Sequence, residues 1–131
     1  MTRFVVDASA ALQLASEAFE VPAQHELLAP TLLRSQTLSA MHAAVHRGEI
    51  PAADARERLE RLWKMPIRLL GDAVLRRRAW QVADTLGWAS TEDAEYIALT
   101  QLQGEAFITL DDDLARRVQG IVTTASIDAL R

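Results

Sequence analysis

The order of short apolar runs constrains this chain's fold more than any other feature. Arg3-Phe4-Val5-Val6, Ile67-Arg68-Leu69-Leu70, Phe107-Ile108-Thr109-Leu110 and Ile121-Val122-Thr123 are each too brief for a helix and read as strands. Between them lie segments with helical character. Residues 8–17 are rich in Ala and Leu. Leu38, Met41 and Val45 recur at i, i+3 and i+7 within about 31–46, and Ala55, Leu59 and Leu62 mark a helix from Pro51 to about Lys64. Leu75, Ala79, Val82 and Leu86 follow Asp72, and shorter helices are expected from Ser90 or Thr91 to Gly104 and from Asp113 to Val118. Gly48, Gly87 and Gly104 stop three of these helices, while Pro22, Pro30, Pro51 and Pro66 fall near boundaries. Short apolar strands alternating with helices bury both of their faces as a parallel sheet covered by helices, so the expected class is α/β.

At 131 residues the chain suits one domain spanning 1–131, with no linker, repeat or low-complexity tract. Hydrophobic residues at 50% and charged residues at 24% are globular proportions. The absence of cysteine excludes a disulfide framework and a thiolate zinc site. No apolar run reaches the length of a membrane helix, and Asp7 interrupts the first apolar run too early for a signal peptide. A cytoplasmic location without membrane contact is therefore expected. A net charge of −4 argues against coating nucleic acid through bulk electrostatics, yet suits an enzyme that gathers carboxylates around a cation. Lys64 is the only lysine among 14 basic residues, so phosphate contacts would fall mainly to arginine.

In such sheets ligands bind beyond the carboxyl ends of the strands, and two strands here run directly into aspartate, at Asp7 and Asp111. Each also precedes a helix, so each could equally be an N-cap accepting free helix N–H groups. Asp93 has the same two readings. Ser90 and Asp93 have capping-box spacing, whereas a carboxylate at a helix N-terminus is also well held for metal ligation. Spacing alone does not choose between them.

Taken in order, Val-Val-Asp7-Ala-Ser9, Asp93-Ala-Glu-Tyr-Ile-Ala-Leu and Thr109-Leu-Asp111-Asp-Asp-Leu114 resemble the PIN domain, and more narrowly the toxin ribonucleases of VapBC toxin–antitoxin pairs. The resemblance covers essentially the whole chain, including Ala29-Pro30-x-Leu32 as the opening of a helix. It implies a three-layer fold with a short parallel sheet of four or five strands. It also implies Mg²⁺ or Mn²⁺ held by Asp7, Asp93 and Asp111, RNA cleavage by metal-assisted hydrolysis, a homodimer and a cognate antitoxin. Ser9 and Thr109 would orient the aspartates, unless they satisfy local backbone groups instead.

One departure stands out. The family usually places a glutamate six residues after the proline of that opening, and this chain has Gln36. A glutamine offers a neutral oxygen but not the charge a hard cation prefers. Either three aspartates suffice, or Asp112 or Asp113 compensates, or the fold persists as a weakened binding module. Asp112 and Asp113 are expected chiefly to support the following helix and face solvent.

Other constellations carry less. His42 and His46 have zinc-like spacing without a third ligand, and with Ser35 and Ser39 they form a solvated face. Arg76-Arg77-Arg78 point in three directions from one helix, as a general solvated surface does. Trp80 reads as core, and Trp63 and Trp88 lie near helix ends where partner contacts are conceivable. A phosphatase would want a second Asp where Ser9 stands, and a receiver domain a lysine after a late strand, so both are poor fits.

Overall fold

The computed structural model describes residues 1–131. Its elements run β1 (Thr2–Val6), α1 (Ala8–Ser16), β2 (His25–Pro30), α2 (Leu32–His46), α3 (Ala52–Lys64), β3 (Ile67–Leu70), α4 (Ala73–Leu86), α5 (Glu92–Gln103), β4 (Ala106–Ile108) and α6 (Asp112–Arg117), with a final 3₁₀ turn at Ile127–Leu130. The four strands form one parallel sheet in the order β3-β2-β1-β4. Helices flank it in two groups, α1 with α2 and α3, and α4 with α5.

β1 sits in the interior of the sheet, pairing Phe4 and Val5 with Leu27 and Leu28 of β2 on one side and with Ala106 and Phe107 of β4 on the other. Val5, Val6, Leu27, Leu28, Phe107 and Ile108 are fully buried, as expected for strands covered on both faces. β3 is an edge strand, and Ile67, Leu69 and Leu70 are only half-buried. Gly104 ends α5 where the chain crosses close beneath β1. An added Cβ there would lie 2.8 Å from a Val5 methyl, so only glycine lets α5 and β1 approach this closely. Gly87 closes α4 in the left-handed region, at φ 70°.

Three expectations are corrected. β2 went unpredicted, because its apolar stretch is only Leu27-Leu28-Ala29, bounded by the polar pair His25-Glu26 and by Pro30. Pro30 ends this strand, and the helix of the expected Ala29-Pro30-x-Leu32 opening begins at Leu32. The expected strand at Ile121-Val122-Thr123 reduces to a single bridge between Phe107 and Thr124. Phe107 N donates to Thr123 O and Ala125 N donates to Phe107 O, and the pairing extends no further. Trp80 is 67% exposed rather than core, because α4 buries Leu75, Ala79, Val82 and Ala83 on the opposite side.

Candidate active site

All four strands run in one direction, so their carboxyl ends share one edge and the residues just beyond them become neighbours. Asp7 follows β1 and caps α1, its Oδ1 accepting from Ala10 N at 3.0 Å. Asp111 lies past the end of β4 and caps α6, its Oδ1 accepting from Leu114 N at 3.1 Å. Both strand-end acids therefore fill the capping role, and that role consumes neither carboxylate's full acceptor capacity.

Two hydroxyls tie these acids together. Ser9 Oγ donates to Asp7 Oδ1 at 2.7 Å and accepts from Leu110 N at 3.0 Å. Thr109 Oγ1 donates to Asp7 Oδ2 and accepts from Asp111 N at 3.1 Å. Each hydroxyl thus relays a backbone N–H of the chain leaving β4 onto one oxygen of Asp7. With both oxygens engaged, the Asp7 carboxylate has one orientation.

Asp93 is the second residue of α5. The Ser90–Asp93 capping box does not form: the N-cap is Thr91, and Ser90 Oγ accepts from Glu92 N at 3.1 Å. Asp93 is half-buried, and burial pushes its carboxyl above the usual carboxylate range. Arg117 opposes the rise, while the charges of Asp7, Asp111 and Glu92 add to it. Because such fields fade with distance, Asp93 is within electrostatic reach of Arg117, Asp7, Asp111 and Glu92.

Gln36 faces the same place from α2. Tyr96, one turn beyond Asp93 on α5, donates its hydroxyl to Gln36 Oε1 at 2.6 Å. Tyr96 is a donor with no competing ionised state, since burial, followed by Asp7, Glu95, Asp93 and Glu92, pushes its ionisation far above the ordinary value. Asp7, Ser9, Ser35, Gln36, Asp93 and Tyr96 line a cleft of about 580 Å³. Asp111 does not line it, nor does Asp112 or Asp113. The latter two are exposed, and Asp113 pairs with Arg116 and Arg117 at 3.3 and 3.1 Å. His42 and His46 are exposed on α2, away from any third ligand.

The oxygen-only donor set, and a half-buried carboxyl destabilised by two neighbouring anions, fit a hard divalent cation chemically. The spacing is looser than the electrostatics: no three acidic or histidine side chains converge tightly enough to hold an ion as they stand. Asp111 is exposed and its cap engages Oδ1 alone, which leaves its second oxygen without a protein partner.

Sequence reading passed over Tyr96 and Arg117. Tyr96 had a signal, its i+3 spacing from Asp93 on one helix face. Arg117 had none, since its place depends on how α6 folds back.

No family profile matches the sequence. Individual relatives do. The VapC ribonuclease Mb0985 of Mycobacterium bovis is 31% identical over 110 residues, which cover 82% of this chain and 84% of that protein. Ribonuclease VapC9 of Mycobacterium tuberculosis matches to the same extent. The chain belongs to the VapC ribonuclease family. The fold agrees. The crystal structure of PAE2754 from Pyrobaculum aerophilum superposes with a TM-score of 0.75 at 22% identity, covering 98% of this chain and 92% of the other. VapBC-1 from nontypeable Haemophilus influenzae gives a TM-score of 0.63 at 13% identity, covering 97% and 99%. Membership in the VapC family makes this a PIN-domain fold, with its strand-end acids at the carboxyl edge of the sheet.

Proposed function

We propose that this chain is a divalent-metal-dependent endoribonuclease acting in the cytoplasm as the toxin of a toxin–antitoxin pair. The observation that supports the reading is that Asp7 and Asp93 line one cleft at the carboxyl edge of the sheet, with Asp111 within electrostatic reach of Asp93. The ribonuclease names of its relatives and the VapBC name of a structural neighbour support it.

Asp7, Asp93 and Asp111 would hold Mg²⁺ or Mn²⁺. When bound, the cation supplies an activated water and neutralises charge building on the phosphate. The chain's own residues prepare the place. Ser9 and Thr109 fix the Asp7 carboxylate from both sides. A bound cation would favour the Asp93 anion, which burial and then the neighbouring Asp7, Asp111 and Glu92 disfavour. Tyr96 anchors Gln36, which adds hydrogen bonding to the cleft but no charge.

The chain is also proposed to form a homodimer and to bind a cognate antitoxin. Leu38 and Trp63, each about half exposed, line an apolar groove of about 550 Å³ with Leu33, Leu62, Ile67 and Leu69, beside the open β3 edge. That face is the one we assign to the second copy. The rival reading, a weakened PIN-fold binding module, draws on Gln36 alone.

Cleavage of a fluorogenic single-stranded RNA, measured with and without Mn²⁺, tests the proposal, alongside thermal melting across a Mn²⁺ titration. Metal-dependent cleavage and a rising midpoint are expected. A rising midpoint without cleavage would support the binding module, and no response in either would remove the metal site.

A further inference from the structure

A fixed positive charge beside the acidic cleft would help it receive an RNA backbone. Arg47 is paired with Glu49, Arg61 with Glu57, and Arg131 with Glu17. Arg117 is paired too, with Asp113, but it makes a second contact. It is the last residue of α6, the helix capped by Asp111, and its guanidinium carbon lies 5.3 Å over the ring of Trp88. Trp88 lies in the turn that leads from α4 into α5 and so to Asp93. Arg117 therefore bridges the two segments that deliver Asp111 and Asp93. It is also the one cation whose field reaches Asp93.

Its contacts leave a usable edge. The guanidinium carbon sits over the Trp88 ring, and Asp113 engages Nε at 3.1 Å. A cation–ring contact need not spend an N–H group, and the two terminal nitrogens have no protein acceptor. The side chain is 42% exposed. A planar fork held by a ring and at one nitrogen is preorganised for a phosphate's paired oxygens.

We infer that Arg117, held by Trp88 and Asp113 beside the acidic cluster, is a substrate-binding residue that contacts a backbone phosphate of bound RNA. The inference rests on the ribonuclease reading. It also gives Asp113 a role other than metal ligation, that of positioning the guanidinium.

The test compares Arg117→Ala and Arg117→Lys with Arg116→Ala. Arg116 is an exposed neighbour that shares the Asp113 carboxylate, and its replacement removes the same net charge. Binding of a fluorescein-labelled single-stranded RNA is followed by anisotropy with Ca²⁺ as the cation, across a salt series, and cleavage by initial rates with Mn²⁺. Arg117→Ala should weaken RNA binding about tenfold and lower the slope of log affinity against log salt by about one, with KM rising more than kcat falls. Arg117→Lys should recover part of the affinity and the full salt slope, because it restores charge but not the fork. Arg116→Ala should change affinity less than about twofold, with melting temperatures alike in all variants. Equal effects of the two alanine variants, or an unchanged salt slope in Arg117→Ala, overturn the inference while a cleaving wild type keeps the ribonuclease reading. A wild type that binds RNA through Arg117 without cutting it keeps the contact and overturns the ribonuclease reading. A wild type that binds no RNA overturns both.

Discussion

Replacing Gln36 by glutamate restores the charge that the family's usual residue would bring, and the structure fixes what should follow. Tyr96 already donates to Gln36 Oε1 at 2.6 Å, so in Gln36→Glu the same hydroxyl donates to an ionised oxygen. That strengthens the bond from about 1 to about 2 kcal/mol. Against this, the new carboxylate shares a cleft with Asp7 and Asp93. At roughly 6 Å and an effective dielectric of about 40, each repulsion costs about 1.4 kcal/mol. Two such terms less the Tyr96 gain leave the metal-free variant about 1–2 kcal/mol less stable, a fall of roughly 5 °C in melting temperature. Bound cation reverses the sign, because its attraction to the fourth carboxylate exceeds the repulsion. A net gain of about 1.4 kcal/mol is about tenfold in affinity. Calorimetric titration with Mn²⁺ measures the affinity, and melting with and without Mn²⁺ measures the stability crossover. Unchanged Mn²⁺ affinity, or a metal-free variant more stable than wild type, would refute the placement of Gln36 at the ion.

Four further outcomes follow from the same geometry. Asp7→Asn should abolish cleavage but cost little stability, since an asparagine oxygen still caps α1, whereas Asp7→Ala should also lose about 1–2 kcal/mol in a denaturant melt. Thr109→Val should destabilise by roughly 1–3 kcal/mol by leaving Asp111 N and Asp7 Oδ2 without partners, read by urea unfolding. Asp93 carries a raised pKa, so the folded chain binds more protons than the unfolded one just above the ordinary carboxylate range; metal-free stability should fall as pH rises through that window, and Asp93→Asn should flatten the pH profile of melting, raise the midpoint at neutral pH and eliminate the Mn²⁺ response. Trp63→Glu should shift sedimentation toward monomer without lowering the melting temperature of the monomer, because this ring is 53% exposed.

The parts of the fold legible in the sequence were those with a local signature. β1 and β4 are apolar runs ending near aspartate, and α3 and α4 repeat their buried residues at helical spacing. β2 was hidden because a strand buried on both faces has no alternation, and this one has only three apolar residues before Pro30. Trp80 misled because a large aromatic beside a buried stripe looks like core until the helix axis is oriented. At the site, Asp7 and Asp111 were marked by position alone, but their union depends on β1 lying beside β4, a pairing between residues about a hundred apart. Arg117 and Trp88 meet only after α6 has turned back toward the α4–α5 turn, and nothing in local spacing announces it.

The pairing of β1 with β4 also sets when the acidic cluster first exists. Asp7 is synthesised more than a hundred residues ahead of both the Thr109 hydroxyl that orients it and the Asp111 proposed to join it. At roughly 5–20 residues per second, translation leaves several seconds in which the early strands and helices exist without their partners from β4 onward. Such long-range strand pairing is also the slowest contact to form. A ribosome making this chain is therefore exposed to no assembled cluster until β4 and Asp111 have followed, and chains released before β4 carry Asp7 only as a helix cap.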